Sequence, residues 1–426
     1  MPEIQNWQWP AYSHMKILVL NGGSSSLKAT LRDLDTGQLA GRPTPPMWQA
    51  QADWGRQAGK ARIAARSAGG EAVTRELDIG SSAEVLRPLM ETLWTGATKV
   101  LDGAHDIDAV GHRIVHGGRA FRETTRITQE VRAVIHTYAD FAPEHNRLEL
   151  EAIEEAERIL GPTVPQIAMF DTQFHTTIPP AAHVYAVPYA WYEEQGIRRY
   201  GFHGISHQYV SRRALEMLGD PAAGRRLVTC HLGNGASLAA VCDGKSIDTT
   251  MGFTPLEGLA MGTRSGTIDP GIAIYLVRHR GYGADELDRV LNKESGLKGV
   301  SGISSDMREI EAAMESGNER ARLAFDVYIH RLCREIGGMA ASLGGLDALV
   351  FTAGVGENSV RVRAAACQHL GFLGVDLDAE RNGKCEPDCD VASAASNVRV
   401  LVIRTDEDWE IARECVRLCG NLCTPA

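Results

Sequence analysis

The sequence of 426 residues is 44% hydrophobic and 23% charged, which is the balance of an ordinary globular protein. Its formal net charge of −10 argues against general nucleic-acid binding, because that binding needs a basic surface. No apolar run approaches the roughly 18 residues of a membrane span, and the first residues lack the regions of a signal peptide. We therefore expect a cytoplasmic protein with no nucleic-acid or membrane partner, and about two or three domains.

The first clear pattern is an apolar strand, a turn of small residues and a second strand, over residues 15–33. The turn, residues 21–26, offers backbone N–H groups, hydroxyls and a carboxamide, and Lys28 follows it. Glycine allows close backbone approach, and successive N–H groups can bind an anion. The turn therefore suits phosphate, although an ordinary hairpin explains the Asn-Gly pair as well. We expect residues 1–14 to be a flexible extension.

The same pattern returns over residues 226–248, where Gly233 aligns with Gly22. A repeat of this size is a signal about the whole fold. It predicts two similar lobes that hold a nucleotide in a cleft between them. Lys28 has Ala239 as its counterpart, so the two halves are not functionally equivalent.

Two further apolar strands end in polar residues. The segment 108–118 carries Arg113 and His116 beside two glycines, and the strand 166–171 ends in Asp171. Arginine offers a rigid fork for a carboxylate or a phosphate. The alternatives are a surface arginine, a core histidine and an aspartate that caps a helix.

Helical periodicity marks residues 83–101, 131–160 and 321–343. Proline and asparagine interrupt the second of these at residues 142–146. His145 in that interruption is a candidate cap or ligand contact.

Glycine-rich segments dominate the second half. Phe202 and His203 lie between two glycines on a predicted exposed loop, and Arg264 lies on another glycine-flanked loop. Such an arginine can reach a transferring phosphoryl group. The strand and glycine turn over 349–358 suit a nucleotide but match neither GxGxxG nor the P-loop pattern.

An acidic cluster follows the last predicted strand, residues 398–403. The carboxylates of Asp406, Glu407 and Asp408 can hold Mg²⁺, but capping of the terminal helix explains them equally. The nine cysteines include no CxxC pair or zinc-like Cys/His set. We expect them to be reduced thiols.

Several segments together resemble the acetate kinase family, in family order and over nearly the whole chain from Met15: NGGSSSLK, GHRIVHGG, FDTQFH, YGFHGISH, HLGNGAS, MGFTPLEGLAMGTRSG, SGISSDMR, FTAGVGEN and TDEDWEIARE. The resemblance implies an α/β protein with the duplicated actin-like ATPase (ribonuclease H-like) fold and a homodimer. It also implies reversible transfer of the ATP γ-phosphoryl group to acetate, giving acetyl phosphate and ADP, with Mg²⁺ or Mn²⁺. Lobe I, the acyl side, would comprise 15–173 and 409–426, and lobe II, the nucleotide side, 174–408.

The resemblance also implies a role for individual residues. The catalytic residues would be Asp171, His203 and Arg264. The acid would contact Arg113, Val115, Phe202, Pro255 and His145. The nucleotide would contact Lys28, His231, Leu232, Gly233, Asn234, Gly235, Asp306, Met307, Arg308, Gly354, Val355, Gly356, Glu357 and Asn358. The metal would lie at Asn21 and Glu407. Because a carboxylic acid is already ionised at neutral pH, no strong base is needed, and we expect Asp171 to orient an arginine or a metal-bound water.

The chain departs from the family pattern at a few positions. Glu144 stands where an apolar residue is usual, beside an anionic substrate. Arg404 and Asp406 replace a proline and an asparagine, Thr267 replaces an aspartate, and Ile205 replaces a threonine. The alternatives are therefore a kinase for propionate or a larger acid, and a non-catalytic nucleotide-binding scaffold of the same fold. A sugar kinase would need a base for its hydroxyl substrate.

Overall fold

The computed structural model describes residues 13–23, 26–39, 41–54, 59–79, 81–138, 146–219 and 224–421. They form two compact units: one holds the described residues up to Gln173 and those from Asp406 onward, and the other holds Phe174–Thr405. The chain returns to the first unit at Asp406 rather than at 409, because the Asp406 carboxylate pairs with Arg32 of that unit (Nη2 to Oδ2, 2.7 Å). In these ranges, no helix is both long and apolar enough to cross a membrane.

The first unit contains an eight-stranded sheet in the order β5-β4-β3-β2-β1-β6-β8-β7. Its strands are β1 (His14–Gly22), β2 (Ser26–Asp35), β3 (Trp48–Asp53), β4 (Lys60–Ser67), β5 (Ala72–Asp78), β6 (Ala109–Ile114), β7 (Thr125–Arg126) and β8 (Gln166–Phe170). Its helices are α1 (Leu86–Glu91), α2 (Gln129–Thr137), α3 (Asn146–Leu160) and, at the end of the chain, α15 (Glu407–Asn421).

The second unit contains a six-stranded sheet in the order β11-β10-β9-β12-β14-β13. Its strands are β9 (Arg226–Leu232), β10 (Ala236–Cys242), β11 (Lys245–Thr249), β12 (Ala348–Thr352), β13 (Cys389–Asp390) and β14 (Arg399–Val402). Its helices are α4 (Pro180–His183), α5 (Tyr189–Gln195), α6 (Gly204–Leu218), α7 (Pro270–Arg280), α8 (Ala284–Lys293), α9 (Gly296–Ser301), α10 (Met307–Glu315), α11 (Glu319–Leu343), α12 (Ala353–Asn358), α13 (Val360–Gln368) and α14 (Ala379–Gly383).

The two sheets repeat one topology, which confirms the predicted duplicated fold. In the first, β1 pairs antiparallel with β2 and parallel with β6, β6 pairs parallel with β8, and β8 pairs antiparallel with β7. In the second, β9 pairs antiparallel with β10 and parallel with β12, β12 pairs parallel with β14, and β14 pairs antiparallel with β13. The carboxyl ends of the three parallel strands therefore share one edge in each sheet, and side chains just beyond them come together there.

Both faces of the central strands are covered, so these strands are continuous apolar runs rather than alternating ones. Leu18 and Leu20 of β1 join a core with α1 and α3. On the opposite face α15 packs closely over β6. A Cβ at Gly111 would lie 2.5 Å from Ile411 Cγ2 and 2.8 Å from Cys415 Sγ, so only glycine allows this approach.

Some local predictions were wrong. Cys385 and Cys389 form a disulfide, with a Cα–Cα distance of 6.2 Å, instead of remaining reduced. The prediction of reduced thiols rested on the expected cytoplasmic location. It did not consider that a loop with three intervening residues can bring two Cβ atoms close enough for a disulfide. The helix expected over 83–101 is limited to one short turn and α1. His14, placed in the extension, begins β1; residues 1–12 lie outside the described ranges.

Candidate functional site

At the shared edge of the first sheet, Arg113 and Asp171 form an ion pair. Arg113 is the penultimate residue of β6 and Asp171 follows β8, and Arg113 Nη2 donates to Asp171 Oδ2 at 2.6 Å. Burial disfavours the charged form of Arg113, but the carboxylates of Asp171 and Glu407 outweigh it and raise the pKa of the guanidinium. Arg113 Nη1 also donates to the carbonyl of Gly22 at 3.4 Å. The pair is thus fixed and largely buried, which suits recognition of a carboxylate.

The sequence analysis did not identify Glu149, which lies beside this pair. Glu149 belongs to α3 and is only 4% exposed. Its carboxyl oxygens accept the N–H of Val115 at 3.1 and 3.3 Å. Burial is the main influence and raises the pKa of Glu149 to about 8, although the charge of Arg113 and the Val115 N–H lower it.

His116, an alternative candidate on the same segment, has a structural role. It is fully buried, its Nδ1 accepts the N–H of Gly118 at 3.0 Å, and its ring stacks on Tyr138. Burial lowers the pKa of His116 to about 4, so the ring is neutral at pH 7. This matches the core histidine that the sequence left as an alternative.

The two predicted metal residues come together at the same edge. Asn21 Nδ2 donates to Glu407 Oε2 and to Asp408 Oδ1, each at 3.3 Å. Burial, with the nearby charge of Asp406, raises the pKa of Asp408 to about 6. Asp406 itself caps α15, since its Oδ1 accepts the N–H of Trp409 at 2.9 Å. Both interpretations of the acidic cluster therefore apply to different residues. Asp406 caps the helix, and Glu407 and Asp408 face Asn21.

The donor set of this cluster fits a hard divalent cation. Two carboxylates, brought together by the Asn21 carboxamide, supply oxygen atoms, the ligands that Mg²⁺ prefers. Within the described ranges, no group of three or more His, Cys, Asp and Glu side chains could hold a metal by itself. A cation here would therefore take the rest of its shell from water or from phosphate oxygens.

Lys28 lies next to this cluster, opposite Asn21 in the β1–β2 ladder. It lines a groove of about 490 Å³ together with Asp408 and residues of β3, β4 and β5. The lysine is exposed, as a contact for a mobile anionic ligand requires.

In the second unit, His203 and Arg264 meet over the turn between β9 and β10. A Cβ placed on Gly235 would lie 3.2 Å from Arg264 Nη1 and 3.3 Å from His203 Nε2. His203 precedes α6 with a left-handed backbone, φ 55°. A strained non-glycine residue of this kind is common at functional sites.

A hydrogen bond to Ser237 and a stacked ring hold His203. Its Nδ1 is hydrogen-bonded to Ser237 Oγ at 2.9 Å, and its ring stacks on His231 with centroids 4.2 Å apart. Ser237 is also hydrogen-bonded to His207 Nε2 at 2.8 Å. Phe202, predicted to be exposed, is buried at 2%. The backbone therefore presents the imidazole Nε2 and hides the aromatic ring.

A cavity of about 650 Å³ lies along one side of this turn, entirely within the second unit. Eight of the predicted nucleotide contacts line it: Gly233, Asn234, Asp306, Met307, Arg308, Gly354, Val355 and Asn358. Residues that were not predicted also line it: Leu297, Ser305, Glu311, Tyr328 and Ser359. Five separate stretches of the sequence thus form one cavity of nucleotide size.

The other predicted contacts have different positions. The lining of this cavity does not include Lys28, His231, Leu232, Gly235, Gly356 or Glu357. Glu357 Oε1 instead accepts the N–H groups of Ala353 and Thr405 at 2.9 and 3.1 Å. Burial raises the pKa of this carboxyl. Glu357 therefore has a structural role, because it ties the start of α12 to Thr405. Residues 353–358, which were expected to be a turn, form α12.

The remaining candidates are distributed as follows. Val115 is buried in the first unit, and Pro255 in the second accepts Arg264 Nη1 through its carbonyl at 3.2 Å. Thr267 is tied to Gly258 by two hydrogen bonds, N to O at 2.9 Å and Gly258 N to Oγ1 at 3.0 Å. Glu144 and His145 lie outside the described residues.

The chain is similar to known proteins over almost its whole length. The sequence model of the acetokinase family matches residues 16–413. The acetate kinase of Gloeobacter violaceus is 57% identical over 401 residues, which cover 94% of this chain and 98% of that protein. The acetate kinase of Nostoc punctiforme is 53% identical over 407 residues, covering 96% of this chain and 100% of that protein.

Solved structures agree in fold. The acetate kinase of Porphyromonas gingivalis has a TM-score of 0.85 at 40% identity and covers 93% of this chain and 98% of its own. A propionate kinase from Francisella tularensis has a TM-score of 0.85 at 36% identity and covers 94% of this chain and 98% of its own.

Proposed function

Because this chain belongs to the acetokinase family, we propose that it is an acetate kinase, which reversibly transfers the γ-phosphoryl group of ATP to acetate. The products are acetyl phosphate and ADP. The relatives that are 57% and 53% identical are acetate kinases, which favours acetate over propionate or a larger acid. The residues that we propose for the reaction are Arg113, Asp171, His203 and Arg264, with the nucleotide cavity.

The observation that carries the proposal is the buried Arg113, held by Asp171 at 2.6 Å. A guanidinium in this setting binds a carboxylate, and one carboxylate oxygen is the nucleophile of the reaction. The acid is ionised at neutral pH, so no group need take a proton from it. Asp171 therefore acts as the residue that orients Arg113. Val115, Phe202 and Pro255 are the residues proposed to contact the acyl methyl group.

Charge is the main obstacle to this transfer, since both reactants are anions. Phosphoryl transfer is catalysed mainly by positioning and by stabilisation of charge on the equatorial oxygens. His203 Nε2 and Arg264 Nη1, which meet over Gly235, are the donors that we propose for those oxygens. Fixed donors of this kind stabilise the transition state without reorganising during the reaction.

We propose that Mg²⁺ is held by Glu407, Asp408 and Asn21, whose oxygen donors fit it. When bound, it would neutralise part of the charge on the phosphate groups. Lys28, opposite Asn21, is proposed to contact the same phosphates as a point charge. The cavity lined by Gly233, Asp306 and Gly354 is proposed to hold the nucleoside end of ATP.

The proposal is tested by acyl phosphate formation, trapped with hydroxylamine, from ATP and Mg²⁺ with formate, acetate, propionate or butyrate. We expect an optimum at acetate, which Arg113→Ala and Arg264→Ala abolish and the exposed Arg289→Ala preserves. An optimum at propionate would instead assign the alternative substrate. Tight ATP binding without acyl phosphate from any acid would show a nucleotide-binding scaffold.

We also propose a homodimer that works in the cytoplasm. None of the residues of α7 is buried, although the helix is largely apolar. Ile272, Ile274, Tyr275 and Val277 are each 46–52% exposed. An exposed apolar face of this kind suits a subunit contact. Sedimentation should give a dimer for the native chain and for Phe372→Asp, whose residue is exposed elsewhere, and a monomer for Ile274→Asp.

A further inference from the structure

Glu149 is a buried carboxyl group at the centre of the acyl-side residues. Its oxygens accept the Val115 N–H at 3.1 and 3.3 Å. Its Cγ lies 4.0 Å from the Cβ position of Gly22, whose carbonyl accepts Arg113 Nη1. One side chain thus accepts the backbone N–H of Val115 and lies beside the hairpin turn that Arg113 contacts.

We infer that Glu149 is a positioning residue of the acyl-binding site, which fixes the main chain of Val115 and sets the charge that Arg113 presents to the acid. The inference rests on the proposed function and extends it to a residue with no role so far. Glu149 is not a catalytic residue, because it acts through Val115 and Arg113.

The charge balance around Arg113 explains why the state of Glu149 matters. Arg113 carries one positive charge, and Asp171 already pairs with it. The carboxylate of Glu407 also acts on Arg113, so an ionised Glu149 would be a third negative charge where the acid carboxylate must bind. A neutral Glu149 keeps that further charge out of the site. Its burial keeps Glu149 protonated at pH 7, since its pKa lies at about 8.

Arg113 and Asp171 are the charged groups whose fields act on Glu149: the first lowers its pKa and the second raises it. On β6, His112 bonds Gln166 at 2.6 Å, and burial lowers the pKa of His112 to about 4, so it is neutral. On β1, the nearby turn residue is Gly22, which has no side chain.

An arginine on each of the two helices that pack against α3 pairs with a different glutamate of α3. Arg87 of α1 donates to Glu155 at 3.2 Å, and Arg132 of α2 donates to Glu157 at 2.7 Å. These ion pairs lie nearly two turns along α3 from Glu149. Glu155 is therefore a matched control: it is a buried glutamate on the same helix, 6% exposed, with cation partners of its own.

The test measures KM for acetate and KM for ATP between pH 7 and 9, on the full-length enzyme. The variants are Glu149→Gln, Glu149→Ala and Glu155→Gln. If ionised Glu149 opposes the acid, the wild-type KM for acetate rises about tenfold at pH 9, one unit above its pKa. Glu149→Gln, which cannot ionise, should stay within about twofold over this range. Glu155→Gln should follow the wild type.

Glu149→Ala separates the two parts of the role. It removes the acceptor for Val115, so KM for acetate should rise at every pH by about tenfold, while KM for ATP stays nearly constant. A glutamate that only supports the fold would lower the melting temperature in Glu149→Ala and leave both KM values alone.

Two outcomes overturn the inference. One is a wild-type KM for acetate that does not change between pH 7 and 9, which needs no variant to fold. The other is a Glu149→Gln profile that superimposes on the wild-type profile. Neither affects the proposed function, which is tested separately by acyl phosphate formation from the four acids at pH 7.

Discussion

Gly235→Ala should slow phosphoryl transfer much more than it destabilises the protein. The added Cβ would lie 3.2 Å from Arg264 Nη1 and 3.3 Å from His203 Nε2, whereas ordinary contacts begin at 3.4 Å. The φ of Gly235 lies outside the left-handed range, so alanine causes no backbone strain there. Both donors must therefore move by a few tenths of an ångström.

The expected decrease in kcat follows from how strongly catalysis depends on the positions of the donor groups. A displacement of about 1 Å can cost about 100-fold in rate, so a smaller shift of both donors should lower kcat by roughly 10-fold or more. KM for ATP should change little, because Gly235 does not line the nucleotide cavity.

The assay is steady-state kcat for acetyl phosphate formation, together with a thermal melt. Gly338→Ala is the control, because it lies within α11 with no atom within 4 Å of the added Cβ. This control should keep its kcat and gain up to about 1 kcal/mol of stability, since alanine is the better helix former. A Gly235→Ala enzyme with kcat within twofold of the wild type would refute the role proposed for His203 and Arg264.

Three further predictions concern the first unit. Asp171→Asn removes the charge that orients Arg113, so kcat/KM for acetate should fall by about 100-fold or more; near-normal hydroxamate formation would contradict this. Asp406→Asn removes the ion pair with Arg32, whose side chain is 4% exposed, and should destabilise the protein by about 3 kcal/mol in urea unfolding; an unchanged midpoint would contradict it. Glu149 is protonated in the folded state below pH about 8 but ionises near 4.5 when unfolded, so folding stability should fall as pH rises across this window, by at most about 5 kcal/mol. Glu149→Gln should show a smaller fall in melts from pH 5 to 8, and equal slopes would exclude this linkage.

The duplicated fold could be predicted from the sequence because both hairpins carry their signal locally, in an apolar run followed by small residues. Strands β3 to β5 were missed, although β4 alternates between exposed and buried along its whole length. Two of the four buried positions of β4 are alanine, Ala61 and Ala65, and the exposed position 64 is alanine as well. Alanine on both faces hides a period-two pattern. The disulfide was also missed, because cysteine spacing does not give the loop conformation.

The site residues identified from sequence were those within glycine-rich or strand-end motifs. Asp408 was predicted only as a member of the acidic cluster, and Glu149 was missed. Sequence cannot show that Glu407 and the adjacent Asp408 both turn toward Asn21. Glu149 lies on an amphipathic helix, where a glutamate is expected to face solvent, and its contact with Val115 spans 34 positions. Non-local contacts of this kind have no sequence signal in a single chain.

The sequence raised one objection to an anion site here, a carboxyl group at Glu144 near the acid, and the structure adds a second at Glu149. Glu149 shows how such a group can be compatible with the function. Burial makes the ionised form costly, so the carboxyl stays neutral and serves as an acceptor for the Val115 N–H. The same burial that keeps Arg113 available to the acid also makes Glu149 the group whose ionisation opposes folding as pH rises. Folding stability should therefore fall between about pH 4.5 and 8, where the unfolded chain has lost this proton and the folded protein keeps it, and acid affinity should fall above about pH 8, where the folded protein loses it. Glu149→Gln should flatten both profiles.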